Sequence, residues 1–334
     1  MQLIDAAPLK HFPQPLKLRW QRRVLHFKRP AWTSRGALTE RVTYIIEANG
    51  AGLGECCVMP GLLPELTEQE LNYWCTEAAR LQGVPDAPSP IRFGLECALL
   101  AALRPGSARW DTAFARGEAG VPIHHLIWMA DIDTMLAAAQ QGIETGFTCL
   151  KMKVGALPFS AEVDMLRAVH AAYPQAEIRV DANGAFSPDT AFQRLEALAE
   201  AGVSSIEQPI RPNQWAAMAE LCRHSPLPVA LDEELIHADC RILDTINPAA
   251  IVIKPSLHGG LMMAQRWAEE AETRGIRWWV NSALESHVGL TALAEWCAYV
   301  EPGKMHGLGT GQLFADDAAG AVRLVGNSLQ MQKI

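Results

Sequence analysis

Leu150-Lys151-Met152-Lys153-Val154 is an apolar run that carries two lysines two positions apart. Successive side chains of a strand point to opposite faces, so Lys151 and Lys153 share one face. Two like charges on the same face of a buried strand are costly unless other groups compensate them. The alternative is the frayed end of a strand with two solvated lysines. The sequence that follows this stretch favours the buried strand.

A short apolar strand followed by a helical stretch recurs through residues 120–310, which predicts parallel strands joined by right-handed crossovers. The predicted strands are His124–Met129, Thr148–Val154, Glu177–Ala182, Ser204–Gln208, Pro228–Asp232, Ala250–Lys254, Arg277–Asn281 and Met305–Gly309. Eight strands in about 190 residues suit a closed barrel better than an open sheet. No convincing helix follows the eighth strand.

A different pattern occupies residues 1–105 and predicts an α+β unit that precedes the barrel. Alternating residues over 14–57 indicate antiparallel strands, with a turn at Asn49-Gly50. Helical patterns follow over 67–82 and 89–103, and Thr67 with Glu70 is typical of a capping box. The tail, residues 311–334, is predicted to return and complete this first unit.

The net charge of −8 disfavours nucleic acid as a partner. Nine lysines and arginines lie within residues 10–41, where Glu40 is the only acid. Because apolar residues are interleaved with these charges, a solvated sheet is favoured over a nucleic-acid arm, with a contribution to binding an anionic substrate as a third alternative.

The chain has 334 residues, enough for one large domain and a smaller one, and contains no run of 18 apolar residues. We therefore predict no membrane helix and no membrane partner. The eight cysteines show no CxxC motif, which favours reduced thiols in a cytoplasmic protein.

Five consecutive predicted strands end in an ionisable residue: Lys153, Asp181, Glu207, Asp232 and Lys254. Neighbouring members are 22 to 28 residues apart, which is about one βα unit. Barrel enzymes place their active sites at the carboxyl ends of the strands, so all five residues are expected on one rim. A helix cap or a strand-end charge explains any one of them, but not the joint pattern.

Three of these residues, Asp181, Glu207 and Asp232, are carboxylates that should converge. Like charges this close repel one another, and a bound cation removes the repulsion. Because every ligand is oxygen, the pattern favours Mg²⁺, with Mn²⁺ as a plausible substitute. Glu233 points away in a regular strand but can approach the metal if the strand ends before it.

The lysines are predicted on both sides of that cation, Lys151 and Lys153 on one side and Lys254 on the other. The cation and the neighbouring lysines should lower a lysine pKa towards neutrality, where the amine can act as a base. A metal-bound carboxylate has an acidified α-proton. The pattern therefore predicts proton abstraction next to a carboxylate. Arg179 and Asn183 share the inward face of the third strand, as supporting groups or substrate contacts.

These motifs resemble those of the enolase superfamily and its muconate-lactonizing-enzyme-like subgroup. The matching segments are Lys151-Met152-Lys153, Val180-Asp181-Ala182-Asn183, Ile206-Glu207-Gln208-Pro209, Asp232-Glu233 and Ile253-Lys254-Pro255. The resemblance covers nearly the whole chain. It implies an α/β fold in which an N-terminal α+β capping domain, residues 1–105, covers a modified (β/α)₇β TIM-type barrel over 120–310. The segments Gly52-Leu53-Gly54-Glu55-Cys56 and Met59-Pro60-Gly61 resemble the family's mobile loop, and the segment around Cys57–Leu62 is expected to close over the site.

Within that subgroup the chain is most similar to the o-succinylbenzoate synthase family. Two segments carry the similarity, Asn281-Ser282-Ala283-Leu284-Glu285-Ser286 and Gly307-Leu308-Gly309-Thr310. Asn281 stands where a serine is usual in the family. The resemblance implies substrate contacts from Arg179, Asn183, Asn281, Ser282, Ser286, Gly309 and Thr310.

The resemblance further implies Mg²⁺-dependent syn dehydration of a small dicarboxylate, 2-succinyl-6-hydroxy-2,4-cyclohexadiene-1-carboxylate, to 2-succinylbenzoate. It makes Lys153 the base, Lys254 the stabiliser of developing charge, and Lys151 a hydrogen-bond donor to the carboxylate. N-acylamino acid racemisation or dipeptide epimerisation is the alternative chemistry. An inactive relative is the non-enzyme alternative, which the five intact charged positions disfavour. The oligomeric state is left open.

Overall fold

The computed structural model describes residues 1–33, 36–311, 313–317 and 320–332. Its first part is a three-stranded antiparallel sheet in the order β1-β2-β3, preceded by one short helix and followed by two longer ones. These elements are α1 (Ala7–Lys10), β1 (Leu18–Thr33), β2 (Gly36–Ala48), β3 (Gly52–Cys57), α2 (Glu68–Leu81) and α3 (Ser89–Ala102). The predicted capping box is present, because Thr67 Oγ1 accepts from Glu70 N while Glu70 accepts from Thr67 N.

Helix α3 packs directly on β3 because two glycines leave room for its backbone. A Cβ at Gly54 would lie 1.9 Å from the carbonyl oxygen of Gly94, and one at Gly52 would lie 2.1 Å from that of Ala98. Both distances are far inside van der Waals contact, so any other residue would push the helix off the sheet.

A two-residue strand, β4 (Val121–Pro122), leads into a sheet of seven parallel strands arranged in chain order. These strands are β5 (His125–Ile127), β6 (Cys149–Lys153), β7 (Glu177–Asp181), β8 (Ser205–Glu207), β9 (Val229–Leu231), β10 (Ala250–Ile253) and β11 (Arg277–Val280). Each is followed by a helix: α4 (Ile132–Glu144), α5 (Phe159–Ala172), α6 (Pro188–Glu200), α7 (Trp215–His224), α8 (Ile242–Ile246), α9 (Gly260–Thr273) and α10 (His287–Val300).

Isolated bridges close the barrel in place of a regular eighth strand. His306 bridges Ile123 and Gly307 bridges Asn281, both in parallel orientation. The predicted strand Met305–Gly309 is thus reduced to a seam two residues long. Seven βα units and this closing seam make the fold a modified (β/α)₇β TIM-type barrel with an α+β unit before it, as predicted.

The end of the chain contacts both parts of the molecule. Strands β12 (Val322–Val325) and β13 (Ser328–Met331) form a hairpin, and β13 pairs with β4. Residues 313–316 lie along β1, where Lys28 N donates to the carbonyl oxygen of Leu313 at 2.8 Å. We propose that residues 1–105, completed by the tail 311–334, form the capping domain, and 120–310 the catalytic barrel. Within the described residues, no helix has the length and apolar character needed to cross a membrane.

Alternation along the strands separates the apolar core from a charged barrel interior. Leu150 and Met152 of β6 are fully buried in the apolar core. Lys151 and Lys153, at the alternate positions, pair in register with Arg179 and Asp181 of β7. The interior near the strand ends therefore concentrates charge, and this is where the candidate site lies.

Candidate active site

Three carboxylates meet where the parallel strands end. Asp181 and Glu207 are the last residues of β7 and β8, and Asp232 directly follows β9. One oxygen from each lies within 4.8 Å of the others, and all three side chains are buried. The structure thus brings together the residues that the sequence predicted as metal ligands.

Two lysines of β6 pair with two of these carboxylates. Lys151 Nζ lies 2.6 Å from Glu207 Oε1 and 2.9 Å from Asp181 Oδ2. Lys153 donates to the same Asp181 oxygen at 2.6 Å. Because the two lysines share one face of the strand, a single carboxylate receives both ammonium groups.

A third lysine approaches from β10. Lys254 Nζ donates a hydrogen bond to Asp232 Oδ2, and its backbone N–H donates to His258 Nδ1 at 3.0 Å. Three strands lie between β6 and β10 in the sheet order. Lys153 and Lys254 therefore stand on opposite sides of the carboxylate cluster, as the sequence predicted.

The carboxylates differ in their affinity for a proton. Although burial works against it, the ammonium groups of Lys151 and Lys153 hold the pKa of Asp181 well below its ordinary value. Burial and the adjacent Asp181 raise the pKa of Glu207 well above its ordinary value. Two neighbouring carboxylates that differ in this way are expected where like charges crowd together without enough compensating charge.

The lysine pKa values differ from the sequence prediction. Burial favours the neutral form of Lys151, but Asp181 and Glu207 outweigh burial and raise its pKa above the ordinary value. Burial likewise opposes the charged form of Lys254, and Asp232 raises its pKa. The prediction of lowered pKa values assumed a cation among these groups. With the protein's own groups alone, the carboxylates raise the lysine pKa values more than burial lowers them.

The donor atoms of the cluster fit a divalent cation. Among the groups that the structure describes, Oδ1 of Asp232 is buried and has no hydrogen-bond partner. A buried carboxylate oxygen without a donor is costly, and a cation would satisfy it. All three candidate ligands are carboxylate oxygens, the type that hard cations prefer. Asp181, Glu207 and Asp232 can therefore hold a divalent metal ion.

Asn183 and Glu233 extend the polar network beside the cluster. Asn183 adopts a left-handed backbone with φ of 44°, accepts from Lys153 Nζ at 2.7 Å and donates to Glu233 Oε1 at 2.8 Å. Strand β9 ends at Leu231, and a short 3₁₀ turn, Glu233–Leu235, begins after Asp232. Because the strand ends there, Glu233 faces the same cavity as Lys153.

A cavity with a free volume of about 680 Å³, counting its open mouth, lies against these groups. The three lysines line it, and so do four of the predicted substrate contacts, Asn183, Asn281, Ser282 and Thr310. Thr310 Oγ1 donates to Ser282 Oγ at 2.7 Å, which links the turn after β11 to the segment after the closing seam. Met59 and Leu62, from the segment predicted to cover the site, also line the cavity.

Comparison with known proteins places the chain in a family. A family model described as "Enolase C-terminal domain-like" matches residues 134–329, more than half of the chain. The chain is also 40% identical to the o-succinylbenzoate synthase of Desulfotalea psychrophila, over 90% of this chain and 95% of that protein. The chain belongs to the o-succinylbenzoate synthase family of the enolase superfamily.

Solved structures agree with membership of this synthase family. The crystal structure of MenC from Desulfotalea psychrophila matches with a TM-score of 0.82 and 35% identity, over 95% of this chain and all of that one. A dipeptide epimerase from Enterococcus faecalis, complexed with Mg and a dipeptide, matches with a TM-score of 0.81 over 96% of this chain and 98% of that one. Its identity is 18%, so this second likeness shows the shared fold alone.

Arg179, which the synthase resemblance placed against the substrate, does not line the cavity. Its Nε donates to Glu177 at 2.8 Å, and its guanidinium lies 4.6 Å from the centre of the Trp279 ring. The residue faces the barrel interior two positions before Asp181, one layer deeper than the metal ligands. The side chain thus lies below the cavity, and its contact with the substrate stays a prediction.

Ser286 and Gly309 do not line this cavity, and their substrate contacts stay predictions. Ser286 is the N-cap residue of helix α10, and its backbone N–H and Oγ donate to Glu55 at 2.9 and 2.6 Å. Its hydroxyl is thus committed to a partner on β3. Gly309 faces a second cavity, which His287 and Phe314 also line.

Other residues of the synthase site were missed by the sequence argument. Gly307 lines the cavity, and a Cβ there would lie 1.9 Å from Asn281 Oδ1 and 2.7 Å from His124 Cε1. His124, beside Gly307, and Trp128 also line the cavity. His124 and Trp128 both belong to the first predicted strand. The alternation of side chains along a strand places them on the same face, and this pattern could have identified them.

Gln208, directly after Glu207, was quoted within a motif but given no role. It adopts φ of 41°, is fully buried, and its Oε1 accepts from the backbone N–H of Asp232 at 3.1 Å and of Glu234 at 3.2 Å. One side chain thus joins the loops that carry two of the candidate metal ligands.

Proposed function

We propose that this protein is an o-succinylbenzoate synthase that dehydrates 2-succinyl-6-hydroxy-2,4-cyclohexadiene-1-carboxylate to 2-succinylbenzoate in menaquinone biosynthesis. The observation that carries the proposal is the 40% identity to the Desulfotalea psychrophila synthase over 90% of the chain. The lysines and carboxylates on the barrel rim are the groups that such a proton abstraction requires. The free state of all eight cysteines supports a cytoplasmic location.

Lys153 is the proposed base. Its side chain is 16% exposed at the cavity, where Asp181 and Asn183 orient the amine. The amine takes the proton from the ring carbon that bears the carboxylate, and the electron pair of that C–H bond moves into the carboxylate group, where negative charge develops. As the neighbouring C–O bond breaks, this pair forms the new ring double bond, and the Lys153 ammonium gives its proton to the departing hydroxyl, which leaves as water. Proton and hydroxyl leave from one face, so one lysine suffices.

The other two lysines supply positive charge in this proposal. Lys254 faces the substrate from the opposite side of the rim and stabilises the negative charge that develops there. Lys151 remains protonated, because the neighbouring carboxylates raise its pKa, and it serves as a hydrogen-bond donor. A divalent cation held by Asp181, Glu207 and Asp232, which we propose is Mg²⁺ with Mn²⁺ as a substitute, would withdraw charge from the substrate carboxylate.

The substrate carries a second carboxylate on its succinyl arm. Polar groups of Asn281, Ser282 and Thr310 line the cavity wall formed by the ends of the seventh and eighth strands. We propose that this wall receives the arm. The apolar side chains of Met59 and Leu62 would then cover the ring and exclude water.

N-acylamino acid racemisation or dipeptide epimerisation is the second candidate. The observation that favours it is the placement of Lys153 and Lys254 on opposite sides of the cluster. A racemase removes a proton from one face and returns it to the other, which requires two such groups.

The deciding experiment incubates the purified protein with the cyclohexadiene and, separately, with an N-acylamino acid in deuterated water. A synthase forms aromatic product from the diene, loses this activity when a strong chelator is added, and regains it with excess Mg²⁺. Deuterium uptake at the α-carbon of the amino acid without dehydration of the diene would support the racemase. Absence of both reactions would contradict an enzymatic role.

A further inference from the structure

The turn of residues 282–285, which follows β11, forms part of the cavity wall. Ser282 and Leu284 line the cavity. Leu284 has φ of 66°, in the left-handed region that residues with a branched side chain rarely adopt. Such a conformation persists only where the surroundings enforce it. The shape of this part of the wall therefore depends on the groups that hold the turn.

Groups of the barrel hold one side of the turn. The buried carboxylate of Glu285 accepts from Ser282 Oγ at 2.6 Å, from Ala283 N at 2.7 Å and from Ser256 Oγ at 2.6 Å. Glu285 thus holds hydrogen-bond donors of the turn, whereas the carbonyl groups of the turn need donors from elsewhere.

The carbonyl side is held from the first 105 residues of the chain. Arg41 of β2 donates from Nη1 to the carbonyl oxygens of Ala283 and Leu284, the latter at 2.7 Å. The Cys57 thiol adds a weaker contact of 3.7 Å to the Ala283 oxygen. Arg41 is therefore the charged donor to both carbonyls that flank the left-handed residue.

Arg41 satisfies only part of its hydrogen-bonding capacity. Its side chain is buried, yet Nε and Nη2 have no hydrogen-bond partner among the described residues. Arg109, also buried, uses all its guanidinium nitrogens: it donates to Cys97 O, Glu295 and Leu53 O. A partly unsatisfied buried guanidinium is a poor structural stabiliser. Its contacts with the turn are the distinguishing feature of Arg41.

We propose that Arg41 is a positioning residue that fixes the Leu284 turn and thereby sets the affinity of the cavity for its substrate. The inference rests on the proposed function and deepens it, because it names a residue outside the barrel that shapes substrate binding. The contacts of Lys153 and Lys254 with their carboxylates do not involve Arg41. The chemical step is therefore expected to survive its replacement, while substrate binding weakens.

The test compares Arg41→Met with Arg109→Met, since both remove a buried guanidinium that links the first 105 residues to the later part of the chain. Steady-state kinetics on the diene and thermal unfolding are measured for each. Arg41→Met is expected to raise KM about tenfold or more while kcat changes by less than about threefold, the pattern of lost uniform binding. Arg109→Met is expected to lower Tm at least as much and to leave KM unchanged. Unchanged KM in Arg41→Met, or an equal rise in both variants, overturns the proposal.

A double-mutant cycle tests whether Arg41 affects KM through Leu284. It can be carried out even if Arg41→Met does not fold. Arg41→Lys and Leu284→Gly are combined, because glycine adopts the left-handed conformation without being held there. If Arg41 acts through Leu284, the effects of Arg41→Lys and Leu284→Gly on KM are non-additive. The effects of Arg109→Met and Leu284→Gly on KM are expected to be additive. Additive effects in the first pair would contradict the proposal.

Hydrogen exchange separates this inference from the proposed function. Amides of residues 282–286 are expected to exchange faster in Arg41→Met than in Arg109→Met, with or without any substrate. An inactive wild-type protein would overturn the proposed function. Unchanged exchange in this segment would overturn the role of Arg41.

Discussion

Lys151 and Glu207 are joined across an intervening strand, with 2.6 Å between Nζ and Oε1. The residues lie on β6 and β8, and the same ammonium lies 2.9 Å from Asp181 on β7 between them. One buried ammonium group thus compensates two of the three clustered carboxylates. Loss of this lysine would remove the ion-pair partner of buried Glu207 and one of the two partners of Asp181, a strongly destabilising change.

The first prediction follows from this pairing. Lys151→Met is expected to lower the free energy of unfolding by about 3–5 kcal/mol when a chelator is present. Millimolar Mg²⁺ should recover part of the loss, because a cation that binds only the folded state stabilises it. Urea unfolding with and without Mg²⁺ measures both effects, and Lys17→Met, at an exposed position, is the control. An equal loss with and without Mg²⁺ would argue against a metal beside Lys151.

The second prediction concerns the metal ligands. Asp181→Asn, Glu207→Gln and Asp232→Asn are each expected to lower kcat/KM by about 10³-fold or more, since the cation supplies several kcal/mol of charge stabilisation. Each should also weaken Mn²⁺ binding measured by electron paramagnetic resonance. Glu220→Gln, on the exposed face of α7, should change neither quantity. Near-normal activity of all three variants in a strong chelator would refute the assignment.

The third prediction assigns the base. Arginine keeps the charge of a lysine but cannot accept a proton near neutral pH. Lys153→Arg is expected to lower kcat by about 10²–10⁴-fold, the contribution of a general base. Lys254→Arg should retain measurable dehydration, because its proposed role requires only charge. The reverse order of activities would make Lys254 the base and turn the substrate round in the barrel.

The fourth prediction uses two glycines of the closing segment as a matched pair. A Cβ at Gly307 would lie 1.9 Å from Asn281 Oδ1, whereas one at Gly309 would meet nothing nearer than the His124 carbonyl oxygen at 3.6 Å. Gly307→Ala is therefore expected to displace Asn281 and raise KM about tenfold, while Gly309→Ala leaves the kinetics within about twofold of the wild type. Equal kinetics of the two variants would show that the Asn281 amide tolerates displacement.

The fifth prediction concerns pH and stability. Glu96 of α3 accepts from the backbone N–H groups of Leu261 and Met262 in α9, and burial raises its pKa to about 8 from an ordinary value of 4.5. Between these two values the folded chain holds a proton that the unfolded chain has released. Stability therefore falls as pH rises through this window, by up to about 1.4 kcal/mol per pH unit.

The comparison of wild type with Glu96→Gln isolates this effect from other titrating groups. Urea unfolding at intervals from pH 5 to pH 8 should show the wild type losing stability relative to the variant. A difference that stays constant with pH would mean that Glu96 ionises at its ordinary pKa in the folded protein.

The sequence predicted the rim because strand alternation and the length of a βα unit fix where a strand-end residue lies. Asp181, Glu207 and Asp232 each end or directly follow a strand, so their convergence needs no knowledge of long-range contacts. Boundaries were less certain: the predicted strand Pro228–Asp232 ends at Leu231, and this early end turns Glu233 towards the cavity.

Residues whose surroundings come from distant parts of the chain escaped the same argument. Ser286 lies in the segment that follows β11, and its hydroxyl donates a hydrogen bond to Glu55 on β3. No local sequence pattern contains that contact. The pKa of Lys151 rises because two carboxylates lie within 3 Å of its amine. The sequence predicted that the carboxylates lie near Lys151. It did not predict that their effect on the lysine pKa would exceed the opposite effect of burial.

The seam of His306 and Gly307 has a consequence for how the chain folds during its synthesis. The seam joins the two ends of the barrel, so this contact cannot form until residue 307 has left the ribosome. Until then β5 and β11 are unpaired edges, open to pairing with another chain. Closing so long a loop is slow and delays completion of the fold. For a growing chain, both edges are therefore exposed until residue 307 emerges, and a chaperone that covers them would act in this interval.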